Sequence, residues 1–304
     1  MSLVVVGSVA YDDVETPAGK RDDLLGGSAT YFSMSAARYT APRLVGVVGR
    51  DFRDGDRRLL ADAGADLTGL VLDPSGDTFR WGGRYHENMN DRSTLYTYLN
   101  VFQTFRPTIP AAWTDSKYLF LGNIDPDLQL NVLSQLKPRF VALDTMNFWI
   151  EGKRDELAAV LSKVGGLIVN DEEGQLLTGQ HNILLMGRAL QKLGPRTVVV
   201  KRGEYGALLF HDDEIFFVPG YPLEDVVDPT GAGDTFAGGF MGWIARQDDM
   251  SIETLRTAMV VGSIMASYCV EGFGVTRVAE ITQADIQTRH DNFVKLTRCP
   301  ALTL

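Results

Sequence analysis

The amino-acid sequence predicts a three-layer α/β/α fold with a mostly parallel central sheet, and two observations support this prediction. Short β-branched and apolar segments alternate along the chain with amphipathic helical segments. Most of the strand segments are continuously apolar, which is typical of strands that are buried on both faces. Such an alternation indicates parallel strands whose connecting helices cover both sides of one sheet.

The predicted elements extend over nearly the whole chain. Strands are predicted at Leu3–Val6, Leu44–Val48, Tyr118–Leu121, Phe140–Leu143, Leu167–Val169, Thr197–Val200 and Ala207–Phe210. Helices are predicted at Ala29–Tyr39, Gly55–Ala63, Leu128–Gln135, Arg154–Lys163, Ile183–Leu193, Thr235–Arg246 and from Ile252 to about Val270. Because no repeat, low-complexity tract or long linker separates these elements, we expect residues 1–304 to form a single domain.

One segment departs from this alternation. Residues 78–81 and 93–98 alternate polar with aromatic side chains, which predicts strands with one face in solvent. Together with residues from about 9 to 24, the segment from about 77 to 106 is expected to form a small β-sheet outside the main body. This sheet is either a solvent-facing hairpin without a function or a lid over a cleft. We favour the lid, because mobile appendages of this kind close over substrates.

Composition and charge exclude several classes of protein. The 304 residues are 45% hydrophobic and 22% charged, and the net charge is −10. Because the chain has no basic cluster, nucleic acid is a poor partner. The longest apolar runs have about nine residues, whereas a membrane span needs about twenty, so we expect no membrane partner. The two cysteines, Cys269 and Cys299, cannot form a disulfide framework, and we therefore expect a cytoplasmic location.

The most informative motif is a glycine-rich loop that leads directly into an amphipathic helix. Gly231, Ala232 and Gly233 carry little or no side chain, so an anion can approach their amide groups closely. The first amides of a helix lack intrahelical acceptors and the helix dipole makes this end partly positive, which favours phosphate. Asp234 follows in the first turn and is either a helix cap or a general base. A carboxylate repels a bound phosphate, so serine or threonine would be the better residue if only a cap were needed. The presence of an aspartate therefore favours the general base.

The segment from Asp228 through Met241 resembles the C-terminal signature of the PfkB family of ribokinase-like carbohydrate kinases, and the resemblance extends from Gly7 to Gly274. It implies a ribokinase-like fold with a small β-sheet lid. It also implies ATP-dependent phosphorylation of a hydroxymethyl group on a sugar or nucleoside. By resemblance, Asp234 would be the general base, and the amides of the residues from Gly231 to Gly233 would form an anion hole.

Further segments match the family on the nucleotide side. By resemblance, Asn170 and Glu173 form the family's Asn-x-x-Glu motif, in which the glutamate organises Mg²⁺ through water. Lys201, Gly203 and Gly206 lie in a segment that is similar to the family's turn beside the nucleotide phosphates. Without the resemblance, these segments would be interpreted as a helix N-terminus with acidic residues and as a solvated turn.

A monovalent cation, for which K⁺ is the candidate, is also implied by the resemblance. Asp228 and the carbonyl group of Thr230 match positions that hold such a cation in some relatives. Thr230 is expected on the nucleotide side as well. The predicted cofactors are therefore ATP and Mg²⁺, and K⁺ is the third candidate.

The resemblance also implies an acceptor site, composed of Asp12, Gly26, Gly27, Ser28, Tyr31 and Asn123. Asp12 matches the aspartate that binds sugar hydroxyls with both carboxylate oxygens, and the diglycine lets a sugar ring lie close to the backbone. Ser28 and Tyr31 depart from the family, since ribokinases have lysine and asparagine at these places. A tyrosine offers a stacking surface and one hydroxyl. We therefore expect a nucleoside base or a modified sugar rather than ribose.

Three functions stay open at this point. The first is a sugar kinase, the second is a nucleoside kinase that resembles an adenosine kinase, and the third is a catalytically silent regulator that binds a nucleotide or sugar. Asp234 and Glu173 argue against the regulator, because a protein that only binds needs neither carboxylate. A homodimer joined through the lid is a further expectation, based on the aromatic side chains of the lid.

Overall fold

A computed structural model describes residues 2–301 of the chain. Its strands are β1 (Leu3–Val6), β2 (Ala10–Thr16), β3 (Gly19–Gly26), β4 (Pro42–Gly49), β5 (Asp66–Asp73), β6 (Phe79–Tyr85), β7 (Arg92–Tyr98), β8 (Tyr118–Leu121), β9 (Phe140–Leu143), β10 (Gly166–Asn170), β11 (Thr197–Lys201), β12 (Ala207–His211) and β13 (Glu214–Val218). Its helices are α1 (Ser28–Ala36), α2 (Asp54–Asp62), α3 (Pro126–Gln135), α4 (Asn147–Gly152), α5 (Arg154–Leu161), α6 (Asp171–Thr178), α7 (Ile183–Gln191), α8 (Ala232–Gln247), α9 (Ile252–Cys269), α10 (Thr276–Glu280) and α11 (Gln283–Thr297).

The large sheet has nine strands in the order β13-β12-β11-β10-β9-β8-β1-β4-β5. In this spatial order, the seven strands from the β5 edge to β11 pair in parallel with one another. The strands β12 and β13 add an antiparallel hairpin at the other edge. The carboxyl ends of the parallel strands therefore meet at one edge of the sheet, where ligands of open α/β folds bind. The prediction of a mostly parallel central sheet is confirmed.

Both faces of the sheet are covered by helices. Successive residues of β1 belong to different apolar clusters: Leu3 and Val5 lie in one, Val4 and Val6 in the other. The first cluster includes residues of α1, α8 and α9, and the second includes residues of α3, α5 and α7. Because side chains alternate across a strand, a continuously apolar segment such as β1 suits a three-layer structure.

The small sheet has the strand order β3-β2-β6-β7. β2 pairs in parallel with β6, and the pairs β2–β3 and β6–β7 are antiparallel. The predicted small sheet is therefore confirmed, and these four strands are called the lid. Residues 99–106, which were included in the predicted lid, contain a 3₁₀ turn (Asn100–Thr104) and no strand.

The two edge strands of the large sheet were not predicted. β5 and β13 carry several exposed residues. The sequence of β5 mixes polar with apolar residues, whereas β13 is a short apolar run after Glu214 whose side chains are mostly not buried. The central strands agree closely with the prediction, since β8 and β9 have the predicted bounds. None of the helices within residues 2–301 combines the length and the apolar composition that a membrane crossing requires.

Candidate active site

The glycine-rich loop leads into α8 as the sequence predicts. Gly231 is the N-cap residue, with a φ of +74°, and the amide of Thr235 donates to its carbonyl oxygen at 2.8 Å. Only glycine adopts this left-handed conformation without strain. A Cβ atom at Gly231 would also overlap the ring of Tyr31, which lies directly against the loop. The loop therefore exposes its backbone because two constraints exclude a side chain at residue 231.

Asp234 lies in the first turn of α8 but does not cap the helix. No side chain caps α8, and within residues 2–301 the Asp234 carboxylate accepts no hydrogen bond from another residue. Burial and then the nearby Asp144 carboxylate raise the pKa of Asp234, the Lys201 ammonium opposes the rise, and the resulting pKa is about 7. A carboxylate with a pKa near neutrality is suited to accept a proton at physiological pH.

Asp144 is a residue of this site that the sequence analysis missed. It follows β9 and is 7% exposed, and the amide of Thr145 donates to its carboxylate at 2.8 Å. Burial raises its pKa, and Lys201 acts in the opposite direction. The signal that could have revealed it is its position directly after a fully apolar strand, where the carboxyl ends of the sheet meet.

Lys201 ends β11 and lies beside the glycine-rich loop. Its Nζ atom is 2.8 Å from the position that a Cβ atom of Gly233 would occupy. Burial acts to lower the pKa of Lys201, but Asp144, Glu173 and Asp234 raise it overall, so the ammonium stays charged. Lys201, which the resemblance assigns to the turn beside the nucleotide phosphates, thus lies next to the glycine-rich loop, and three carboxylates act on this one cation.

Asn170 and Glu173 form a reciprocal cap at the start of α6. The Glu173 amide donates to Oδ1 of Asn170 at 2.7 Å, and the Asn170 amide donates to Oε2 of Glu173 at 2.8 Å. Burial and then Asp144 raise the pKa of Glu173 to about 7. The interpretation of this motif as a helix N-terminus is thus correct. The Glu173 carboxylate also interacts electrostatically with Asp144 and Lys201.

The turn that follows β11 is approached by the lid. Gly203 and Gly206 both have a positive φ, 53° and 93°, as a tight turn requires. Asn90, in the loop between β6 and β7, donates to Glu204 at 2.9 Å. Its Oδ1 atom is 2.8 Å from the position of a Cβ atom at Gly203. The lid therefore contacts the turn that the family resemblance assigns to the nucleotide.

Asp228 is almost fully buried below the loop, with 1% exposure. Its carboxylate accepts hydrogen bonds from the amides of Thr230 (2.9 Å) and Gly274 (3.1 Å), and burial raises its pKa. The Thr230 hydroxyl donates to the hydroxyl of Tyr85 in the lid at 3.2 Å, and its carbonyl oxygen accepts from Cys269 Sγ at 3.5 Å. The two residues proposed to hold a monovalent cation thus lie together, and the lid contacts one of them.

Asp12 occupies the acceptor side of the site. It belongs to β2 of the lid and is 4% exposed, and burial followed by the charge of Asp228 raises its pKa to about 8. A Cβ atom at Gly26 would overlap the Asp12 carboxylate. Gly27 has a φ of +92°, and its Cβ atom would lie 2.5 Å from the carbonyl oxygen of Ser8. Both positions therefore require glycine. The absence of side chains at Gly26 and Gly27 lets their backbone lie close to the Asp12 carboxylate and to Ser8.

The structure corrects the interpretation of Tyr31. Its ring is 2% exposed and packs against Gly231, and its hydroxyl has no hydrogen-bond partner within residues 2–301. The expected stacking surface for a ligand is therefore wrong, because the ring supports the glycine-rich loop from below.

Ser28 and Asn123 are both engaged by neighbouring residues. Ser28 exchanges hydrogen bonds with Ser8: its amide donates to Ser8 Oγ at 3.0 Å and its hydroxyl accepts from the Ser8 amide at 3.1 Å. This exchange joins the end of β1 to α1. The Asn123 amide accepts from Trp149 Nε1 at 2.9 Å and donates to Met146 Sδ at 3.1 Å. Any contact of these two side chains with an acceptor would compete with these bonds.

Trp81 is the aromatic residue that sequence reasoning did not single out. In the parallel pair of β2 and β6 it lies directly opposite Asp12, so both side chains are on one face of the lid. Its ring covers Gly83, where a Cβ atom would overlap it, and its Nε1 donates to Thr94 at 3.4 Å. The alternating aromatic pattern of the lid was the available signal, but only the register identifies Trp81 as the partner of Asp12.

Three comparisons with known proteins show which family the chain belongs to. The model of the pfkB family carbohydrate kinases matches residues 25–280. The cytidine kinase of Thermococcus kodakarensis is 32% identical over 253 residues, which cover 81% of this chain and 89% of that protein. A nucleoside kinase of Methanothermobacter thermautotrophicus is 26% identical over 292 residues, or 90% of either protein. The structure of Burkholderia thailandensis nucleoside kinase with inosine is similar, with a TM-score of 0.78, 19% identity and coverage of 96% of this chain and 99% of that one.

Proposed function

Because the chain belongs to the pfkB family of carbohydrate kinases, we propose that its phosphate acceptor is a nucleoside. The protein is an ATP-dependent kinase of a sugar or nucleoside, with an alcohol group as acceptor. The observation that carries the choice of a nucleoside is the pairing of Asp12 with Trp81 on one face of the lid. The curated relatives that are named as cytidine kinase and nucleoside kinase support the same choice.

The acceptor face of the lid has a polar and an aromatic part. Asp12 and the backbone of Gly26 and Gly27 suit the hydroxyl groups of a ribose ring, since the carboxyl group can bind two hydroxyls. Trp81 suits the flat face of a base, and stacking of a base on an aromatic side chain contributes about 1–3 kcal/mol. A free sugar would use the first part and leave the second without a function.

Asp234 is proposed to be the general base of phosphoryl transfer. It takes the proton of the acceptor hydroxyl as the acceptor oxygen forms a bond to the γ-phosphorus and the bond from that phosphorus to the ADP oxygen breaks. The amides of Gly231 and Gly233 and the ammonium group of Lys201 face the charge that develops on the phosphoryl oxygens. The amide of Ala232, the third member of the predicted anion hole, donates to the carbonyl oxygen of Pro229 at 3.2 Å and would have to exchange this bond to join them. The lid excludes water from this step.

A divalent cation fits the carboxylates on the nucleotide side. Asp144, Glu173 and Asp234 all have raised pKa values, because burial and mutual repulsion disfavour three negative charges around Lys201. Within residues 2–301 the structure has no cluster of three or more carboxylate, histidine or cysteine ligands that forms a metal cage. Mg²⁺ normally takes one or two carboxylates, water and substrate phosphates. We propose that Glu173 holds it through water, where it would neutralise phosphate charge.

A monovalent cation such as K⁺ is proposed at Asp228 and the Thr230 carbonyl. The supporting observation is that Asp228 is buried and that, within the described part of the chain, no cationic side chain lies within 4.0 Å of it. Its two hydrogen bonds come from neutral amides. A cation there would compensate the buried charge and hold the loop that precedes α8.

The proposal also includes a cytoplasmic location and a homodimer that is joined through the lid. Both cysteines are free, Cys269 buried and Cys299 exposed, which fits a reducing compartment. The strand β7 exposes Leu95 and Tyr98 at the edge of the small sheet. An exposed edge with apolar side chains is suited to pair with a second copy.

Acceptor preference tests the proposed function. The protein is incubated with ATP, Mg²⁺ and either a nucleoside (cytidine, adenosine or inosine) or a sugar (ribose or fructose), and ADP release is measured. We expect kcat/KM for the preferred nucleoside to exceed that for ribose by about 100-fold, as about 3 kcal/mol of base contacts would give. Equal or better use of ribose or fructose would contradict the proposal. No ADP release with any acceptor, despite ATP binding, would favour the silent regulator.

A pair of variants isolates the aromatic part of the site. Trp81→Leu should lower kcat/KM for nucleosides by about tenfold or more and leave that for ribose unchanged, because it removes only the stacking surface. Tyr98→Leu is the matched control, since Tyr98 is an exposed aromatic residue of the same lid. Because Tyr98 belongs to the proposed dimer edge, both variants are compared under conditions in which they keep the oligomeric state of the unmodified protein. An equal effect of both variants would mean that the lid contributes through its stability alone.

A further inference from the structure

The loop between β6 and β7 is a turn that is closed by hydrogen bonds within it. The His86 amide donates to the Asp91 carbonyl at 3.0 Å, and Asn88 Oδ1 accepts from the amide of Asp91 at 3.0 Å. Met89 adopts a positive φ of 56° to close the turn. This turn fixes the two residues that follow its tip: Asn90, which contacts Gly203 and Glu204, and Arg92, which begins β7.

Arg92 is attached to the glycine-rich loop through its strand partner. In the antiparallel pair of β6 and β7, Arg92 lies opposite Tyr85. The Tyr85 hydroxyl accepts from the hydroxyl of Thr230, the residue before Gly231. The lid therefore places Arg92 near the glycine-rich loop. Its guanidinium group also lies 5.8 Å from the centre of the Trp81 ring.

The charge of Arg92 acts on both sides of the site. It lowers the pKa of Asp234, next to the acceptor, and of Glu173, next to the nucleotide, and it opposes the charge of Lys201. Yet within residues 2–301 neither Arg92 nor Lys201 has a carboxylate within 4.0 Å. Two other arginines of the lid, Arg80 and Arg84, do form such pairs, and Arg84 lies 3.0 Å from Glu15. Two cations thus face one group of carboxylates without being neutralised by an ion pair.

We propose that Arg92 is a catalytic residue that contacts the transferring phosphoryl group when the lid is closed. Lys201 approaches this group from the sheet and Arg92 approaches it from the lid. The fixed planar donors of a guanidinium group suit the oxygens of a phosphoryl group. Because Asn90 contacts the nucleotide turn in the same arrangement, closure of the lid over the acceptor also brings the cation to the phosphates. The inference rests on the kinase reaction and not on the identity of the acceptor.

Substitution of Arg92 tests this inference. Arg92→Gln should lower kcat by about 100-fold, comparable to the loss of one donor to a charged transition state. The KM values for ATP and acceptor should change by less than threefold. Arg84→Gln is the matched control, because it removes the same charge from β6 of the same lid, and its kcat should stay within twofold of the unmodified protein. Thermal unfolding of both variants verifies that they fold.

Two further measurements distinguish contact with the phosphoryl group from a structural role. In Arg92→Ala, added guanidinium ion at millimolar concentration should restore kcat at least tenfold. The affinity of Arg92→Gln for ADP with aluminium fluoride and acceptor, a mimic of the transferring phosphoryl group, should fall by about 100-fold while its affinity for ADP stays unchanged. A kcat within threefold of the unmodified protein would overturn the proposal. An equal loss of kcat in Arg84→Gln would also overturn it. So would a loss of kcat in the Arg92 variants that guanidinium ion does not restore and that leaves the affinity for ADP with aluminium fluoride unchanged.

Discussion

The glycine-rich loop rests on the ring of Tyr31, and this contact predicts a specific cost for Gly231→Ala. The new Cβ atom would overlap the ring, and the alanine would have to keep a φ of +74°. A left-handed conformation costs a residue with a Cβ atom about 1–2 kcal/mol. Overpacking a filled interior costs about 1–3 kcal/mol more. We therefore expect the free energy of unfolding to fall by about 2–5 kcal/mol.

The same substitution should reduce activity, because relief of the overlap moves the amides of the loop. Loss of one aligned donor to a developing anion lowers kcat by about 10²–10³-fold, and we expect Gly231→Ala to fall in this range. Gly64→Ala is the matched control: Gly64 has a φ of +105° and a Cβ atom there would meet nothing within 4 Å. It should lose only the conformational part of the stability and keep its kcat.

Urea unfolding and steady-state ADP release measure both quantities. Tyr31→Leu combined with Gly231→Ala should recover part of the lost stability, since it removes the ring that the Cβ atom meets. If Gly231→Ala were no less stable than Gly64→Ala and kept the kcat of the unmodified protein, the description of Tyr31 as the support of the loop would be refuted.

Further predictions concern the charges of the site. The kcat/KM should rise with pH through an apparent pKa near 7, because Asp234 is protonated and inactive below that value; a flat profile from pH 5 to 8 would contradict this. Lys201→Met should move that apparent pKa upward by about 1 unit or more, since an opposite charge nearby lowers a carboxyl pKa by about 1–3 units. Without ligands, the free energy of unfolding measured with urea should fall as the pH rises from 5 to 8. The reason is that Asp12, Glu173 and Asp234, with pKa values of about 8, 7 and 7, hold protons in the folded chain that the unfolded chain has lost. Asp12→Asn should make this decrease smaller.

The central strands could be predicted from the sequence because their environment is uniform. The strands at Tyr118–Leu121 and Phe140–Leu143 are buried on both faces, so apolar residues are continuous and end abruptly at polar ones. The edge strands Asp66–Asp73 and Glu214–Val218 are partly exposed, and the first of them mixes polar with apolar residues. Their pairing depends on the neighbouring strand, which a single segment of sequence does not contain.

The part of the site that is continuous in sequence could also be predicted. The loop from Gly231 to Asp234 has its chemistry in adjacent residues, and the family membership that this motif predicted is confirmed. Asp144 and Trp81 could not be found in this way. Each faces the site because of strand order or register, and these relations join residues that are far apart in the chain.

Tyr31 shows the opposite error. Its position after the diglycine suggested an open surface for a ligand, because family members place a polar side chain there. The packing of α1 against α8 decides that its ring points into the core and meets Gly231. The aromatic surface expected of Tyr31 is instead available from Trp81, on the other side of the site.

Single-turnover phosphoryl transfer by Asp234→Asn, with ATP binding measured by calorimetry on the same sample, tests the account most directly. Asparagine preserves the shape of the side chain but cannot accept the acceptor's proton, and general-base catalysis contributes about 10²–10⁴-fold. We expect transfer to slow by at least about 100-fold while ATP binds within threefold of its normal affinity. Transfer within tenfold of the normal rate would contradict the assignment of Asp234 as the base.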